Sequence, residues 1–126
     1  MTGICIIAGG KTVVMALTTF TLSWTHSVEK TSWREHWAVD GQRLVLEEAR
    51  VKGSGAGMDP GEGAVLEDDW WVWTPHSPEV TSLHLAASGA THDGWQICSD
   101  GNGACRQLGE APGSPITIAP CPGGRG

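Results

Sequence analysis

From Phe20 to Glu29 the chain alternates without a break: Phe20, Leu22, Trp24, His26 and Val28 interleave with Thr21, Ser23, Thr25, Ser27 and Glu29. Successive side chains of an extended strand leave opposite faces, whereas the apolar positions of an amphipathic helix recur every three or four residues. Period-two alternation of this length therefore specifies a strand with one buried face. That face must be covered by a second layer or by curling of its own sheet.

The same pattern and its turn signals continue along the chain. Apolar runs at residues 4–8 and 12–17 flank Gly9-Gly10, a two-residue hairpin signal. Residues 31–39 alternate again, with Trp33, Glu35, Trp37 and Val39 on one face. Asp40-Gly41 then marks a hairpin turn into residues 43–51, where strict alternation places Leu44, Leu46, Glu48 and Arg50 together. Leu-Glu-Glu-Ala-Arg would tolerate a helix, but the preceding turn and the Leu-Val-Leu run favour a strand. Further strands are expected at 64–67, 70–74, 80–87, 94–98, 104–108 and 115–119, with turns at Asp93-Gly94 and Asp100-Gly101. The 18 Gly and 7 Pro are spread along the chain, which fits many short elements rather than a few long ones. The expected fold is all-β, an antiparallel meander forming a small barrel or a two-layer sandwich. Its 126 residues suit one domain. Residues 1–120 are assigned to that domain and 121–126 to a disordered tail.

Charge and composition exclude several classes. The formal net charge is −6 and the eight Lys and Arg are scattered, so the sequence offers no basic stripe for a nucleic acid. No stretch reaches the ~18–20 apolar residues of a spanning helix. The most apolar region, residues 3–22, is interrupted by Gly9-Gly10-Lys11, which reads as a hairpin and not as an export signal. The expected location is cytoplasmic, with a periplasmic or membrane-associated placement as the alternative if a leader is missing. Cys5, Cys98, Cys105 and Cys121 lack the close pairing of zinc knuckles. They read either as small buried hydrophobes or, for Cys98 and Cys105, as a disulfide across a hairpin turning at Asp100-Gly101-Asn102-Gly103. The disulfide would require an oxidising compartment.

Polar residues inside apolar stripes carry what functional signal there is. His26, Glu35, Glu48 and Arg50 all fall at positions that alternation sends inward, where a charge must be paired or wet. Arg50 is expected to pair with Glu35 or Glu48, with His26 in the same cluster. Three readings follow: a structural network, a pocket for a small anion, or a catalytic or metal site. One His beside an Arg is a poor cation site, and Ser27 points away from His26 in a strand, so no catalytic residue, metal or cofactor is assigned. Gly53-Ser-Gly-Ala-Gly57 lacks the Lys-Ser/Thr and the following helix of a phosphate loop. His36, His76, His84 and His92 read as solvated or satisfied. Trp71 and Trp73 share one face, and Trp70, on the other, would anchor a partner if exposed.

The run Phe20-Thr-Leu-Ser-Trp-Thr-His-Ser-Val-Glu-Lys30, followed by Glu35, Leu44 to Arg50 and Gly53-Ser-Gly-Ala-Gly57, resembles the bacterial and archaeal family called domain of unknown function 1850. The similarity extends from about residue 4 to 108. It implies motif positions at His26, Ser27, Glu29, Lys30, Glu35, Glu48, Arg50, Gly55 and Gly57. It also implies an accessory role in solute uptake, since members are often encoded beside tripartite (TRAP-type) transporters. The membrane or receptor subunits of such a transporter are the implied partners.

Overall fold

The computed structural model describes residues 2–26, 31–52, 63–75, 79–85, 94–101, 103–108, 113 and 115–122. Chain order begins with β1 (Thr2–Ala8), β2 (Lys11–Ala16), β3 (Thr19–His26), β4 (Thr31–Asp40) and β5 (Arg43–Lys52). The short strands β6 (Val65–Glu67), β7 (Trp70–Trp73), β8 (Glu79–Val80) and β9 (Leu83–Leu85) follow. Then come β10 (Trp95–Ser99), β11 (Cys105–Leu108) and β12 (Ile116–Pro122). Among the described residues there is no helix. The fold is all-β, two antiparallel sheets packed as a sandwich, with no closed barrel.

Turn chemistry sets the local hairpins. Gly9 and Gly10 adopt φ of 57° and 80°, the left-handed pair that a two-residue turn between twisted strands requires. Asp68 and Asp69 do the same between β6 and β7 at φ of 49° and 71°, a conformation that Asp tolerates better than most residues.

The small sheet runs β2-β1-β12-β9, and the large one β11-β10-β3-β4-β5-β7-β6, with β8 also on β5. Only β3-β4-β5 and the local hairpins follow the expected meander. β10 returns to pair β3, and β12 pairs β1, so the first and last strands are neighbours. The single strand expected at 80–87 is two strands in different sheets. β8 pairs β5 and β9 pairs β12, with the chain crossing between layers at Thr81 and Ser82. β12 continues through Cys121 and Pro122, so the tail assigned to 121–126 begins inside a paired strand.

Ile4 and Ile6 of β1 and Ile116 and Ile118 of β12 face Phe20, Leu22, Trp37, Leu44 and Ile97 of the large sheet, and all are buried. The stripe from which the strand was deduced behaves accordingly: Phe20 and Leu22 are sealed, Trp24 is partly buried, and Thr25 opposite is exposed. Val28 lies outside the described residues. Four tryptophans extend the inner face toward the His26 end of the sheet. Trp24 stacks on its cross-strand partner Trp33 with ring centroids 6.0 Å apart and planes within 2°. Trp95 packs on Trp24 at 4.7 Å, and Trp73 meets Trp33 edge-on at 6.4 Å. Large rings supply there the buried area that aliphatic residues supply elsewhere.

Candidate ligand-binding face

One extra residue decides where the polar side chains go. From Ser32↔Lys52 to His36↔Glu48 the β4–β5 ladder is regular. It then shifts, so that Trp37 faces Leu46 and Glu47 has no partner of its own. A bulge of this kind places two residues of one strand against one of the other and changes the parity beyond it. Leu44 and Leu46 face inward before it, and Ala49 and Val51 face inward after it. Glu48 and Arg50, expected to share the Leu44–Leu46 face, are therefore on the outer surface, while Glu35 is on the inner one. The cluster expected on a single buried face is divided, with Glu35 on the inner face and Glu48 and Arg50 on the outer one, although all three border one depression of about 510 Å³ together with Thr21 and His36; the side chain of His26 lies outside the described residues. The backbone of His26 ends β3 opposite Thr31. Ser27, Glu29, Lys30, Gly55 and Gly57 lie outside the described residues, as do His76 and His92.

Glu35 is partly buried between Leu22 and Ala49 on the neighbouring strands. Burial pushes its carboxyl pKa up, opposed by a hydrogen bond that Trp37 Nε1 donates to Oε1 at 3.1 Å. Desolvation disfavours the charged form more than one indole donor restores it.

On the outer face Arg50 Nε donates to Glu48 Oε1 at 2.6 Å, with both side chains more than a third exposed. The pair expected from the sequence is formed, but in the open. Next to it, Thr21 Oγ1 donates to Asp100 Oδ1 at 2.8 Å, and His36 Nδ1 lies 3.3 Å from both Asp100 Oδ2 and Thr21 Oγ1. Nucleophilic catalysis needs the acid on one imidazole nitrogen and the hydroxyl on the other. Here both partners crowd Nδ1 and the hydroxyl proton points at the carboxylate, so the trio orders the surface without activating Thr21. His84 likewise sits between two hydroxyls, Ser82 at 3.1 Å and Thr117 at 3.3 Å. No group of three or more His, Cys, Asp or Glu able to hold a metal occurs among the described residues.

Farther toward the His26 end, Arg34 and Arg50 stand directly opposite each other on β4 and β5, and Lys52 follows on the same face. Trp70, paired with Lys52, turns outward because Trp71 and Trp73 take the inward positions opposite Val51 and Ala49. Arg34 Cζ lies 4.7 Å from the Trp70 ring centroid and Lys52 Nζ 5.7 Å from it. Among the described residues no carboxylate comes within ion-pair distance of either cation. A groove of about 400 Å³ runs alongside, lined by Ser23, Ser32, Gln96 and these three residues. Sequence reasoning missed Arg34 and Lys52 because each is a single cation, flanked by Trp33 and Glu35 or by Val51 and Gly53, outside any basic run. Their common signal is parity with Trp70 across three strands, and it needs the register.

All four cysteines are paired. Cys98 faces Cys105 across the β10–β11 hairpin and is bonded to it. The second bond, Cys5–Cys121, joins β1 to β12 over 116 positions of sequence. It was not expected, because only the pairing of the two terminal strands brings Cys5, opposite Ala119, within one diagonal step of Cys121.

The fold and this face define a two-layer antiparallel β domain with a cationic, tryptophan-backed groove on the outside of its larger sheet. The chain belongs to the family described as domain of unknown function (DUF1850), whose model matches residues 20–108. That span contains nearly all of the large sheet and the groove, and it excludes β1, β2 and β12. Comparison with curated proteins and with solved structures gives no match.

Proposed function

We propose that this is a non-enzymatic binding domain that serves solute uptake as an accessory of a TRAP-type transporter, and that it engages ligand or partner through the outer face of the large sheet. The observation that carries the reading is the placing of Arg34 and Lys52 against Trp70, with Arg50 directly opposite Arg34. Three of the eight cationic side chains of a chain with net charge −6 lie on one patch. Glu48 neutralises Arg50, but Arg34 and Lys52 have no carboxylate within ion-pair distance among the described residues, which leaves two cations beside one ring for a counter-charge from outside. The site geometry around Thr21, His36 and Asp100 gives no support to an enzyme.

The domain works outside the reducing cytosol. Two disulfides that use every cysteine support this placement over the cytoplasmic one, because such bonds persist in oxidising compartments. Co-purification with the membrane and receptor subunits of a TRAP-type transporter from the same organism tests the accessory role. Retention of either subunit by the native domain, and its loss in Arg34→Glu/Lys52→Glu, is the expected result. Failure of both subunits to bind overturns the transport reading.

A further inference from the structure

We propose that the groove beside Trp70 binds a small hydroxylated carboxylate, with Arg34 and Lys52 holding the carboxylate and Ser23, Ser32 and Gln96 meeting the hydroxyls. The inference deepens the binding reading above and rests on it only for the choice of face.

The sign of the ligand follows from the cations. Arg50 is already neutralised by Glu48 at 2.6 Å, whereas Arg34 and Lys52 have only the Trp70 ring as partner among the described residues. A cation resting on an indole keeps its N–H edge free, so its planar fork or ammonium remains available to an oxygen pair. Arg34 offers the bidentate geometry that suits a carboxylate, and Lys52 adds a second point charge beside the same ring. Two unpaired cations match one carboxylate with charge to spare, and they favour a monoanion over a highly charged phosphate ester once the acidic chain is counted. Glu67 stands opposite Trp70 on the edge strand β6, and it would repel further negative charge at that edge.

The remainder of the ligand is set by the groove. Ser23 and Gln96 face each other across β3 and β10, and Ser32 lies between them and Lys52. These are hydroxyl and amide groups that both donate and accept, as a polyol requires. Apart from Trp24, Trp33 and Trp70, the described residues that line this groove are polar, charged or glycine. Its volume of about 400 Å³ accommodates a molecule of a few to several carbons.

Lactate, glycerate, gluconate and glucuronate, with glycerol and glucose as neutral counterparts and sodium sulfate as a bare anion, are the probes. Nitrogen–proton correlation spectra of the intact, oxidised domain follow the Trp70 indole, assigned by Trp70→Phe, while calorimetry gives affinities. At least one hydroxy acid is expected to shift the Trp70 indole with a dissociation constant of about 1 mM or tighter. Sulfate should bind at least about tenfold more weakly, and the neutral compounds should not bind. Arg34→Gln and Lys52→Gln should each weaken the acid by about tenfold or more. Arg43→Gln, which breaks a remote pair with Glu79, should leave it unchanged. The proposal is overturned if none of the acids shifts Trp70, if sulfate or glucose binds as well as the best acid, or if Arg34→Gln binds like the parent. Such a failure leaves co-purification with transporter subunits intact, whereas loss of co-purification with carboxylate binding retained removes the transport reading alone.

Discussion

Removing the Cys5–Cys121 bond should cost the domain about twice as much as removing Cys98–Cys105. A cross-link stabilises chiefly by withholding loop-closure freedom from the unfolded chain, and the effect grows with the logarithm of the loop. A separation of 116 residues corresponds to about 4.8 kcal/mol, and a separation of 7 residues to about 2.4 kcal/mol. The first figure is a large share of the ~5–15 kcal/mol by which a domain is stable. The structure gives the bond a further task. It fastens the two terminal strands whose isoleucines close the core over Phe20 and Leu22. Cys5→Ala/Cys121→Ala and Cys98→Ala/Cys105→Ala, melted without reductant, separate the two contributions. The first variant should lose about 15–20 °C in melting temperature and the second about half of that. Equal losses, or a terminal-bond variant that melts with the parent, would refute the entropic account and the pairing of β1 with β12 alike.

Glu35 has its pKa raised by burial, so the folded state holds its proton to higher pH than the unfolded state does. Stability should therefore fall as pH rises from the unfolded value through the folded one. Glu35→Gln should be more stable than the parent above that window and equal to it below, as read by urea melts across pH; a uniform loss at every pH would contradict this. Arg50→Met should cost less than about 1 kcal/mol, because its pair with Glu48 is open to water and Arg34 stands opposite. A loss of ~3 kcal/mol or more in a denaturant melt would mean a sealed pair. Deleting Glu47 removes the unpaired bulge residue and leaves every inward side chain inward, so the fold should survive within about 2 kcal/mol. Deleting Ala49 instead brings Glu48 to the inward position opposite Glu35, and loss of cooperative unfolding is the expected outcome in calorimetry.

What the sequence determined by itself is local. The Phe20–Leu22–Trp24 stripe, the Gly9-Gly10 hairpin and the positions of nearly all the strands are written in period-two alternation and turn residues, which act over a few neighbours. The all-β class follows from their number. The family resemblance rested on residues that the matched span includes. Arg50 and Glu48 were also legible as a pair, because alternating positions on one strand stay within reach of each other.

The tertiary structure decided the face on which that pair lies. Alternation carried past Glu47 sends Glu48 and Arg50 to the wrong side, since one additional residue reverses parity and nothing in Leu-Glu-Glu-Ala marks which residue is extra. Only the partner strand, with His36 and Trp37 already committed outward and inward, fixes it. The same holds for Arg34, Lys52 and Trp70, which three separate strands contribute, and for Cys5 and Cys121, which meet because the first and last strands pair. Strand content is set by short-range sterics and patterning, whereas register and sheet order are set by the burial of many side chains at once. That cooperative choice left the outer face of the large sheet with the unpaired cations.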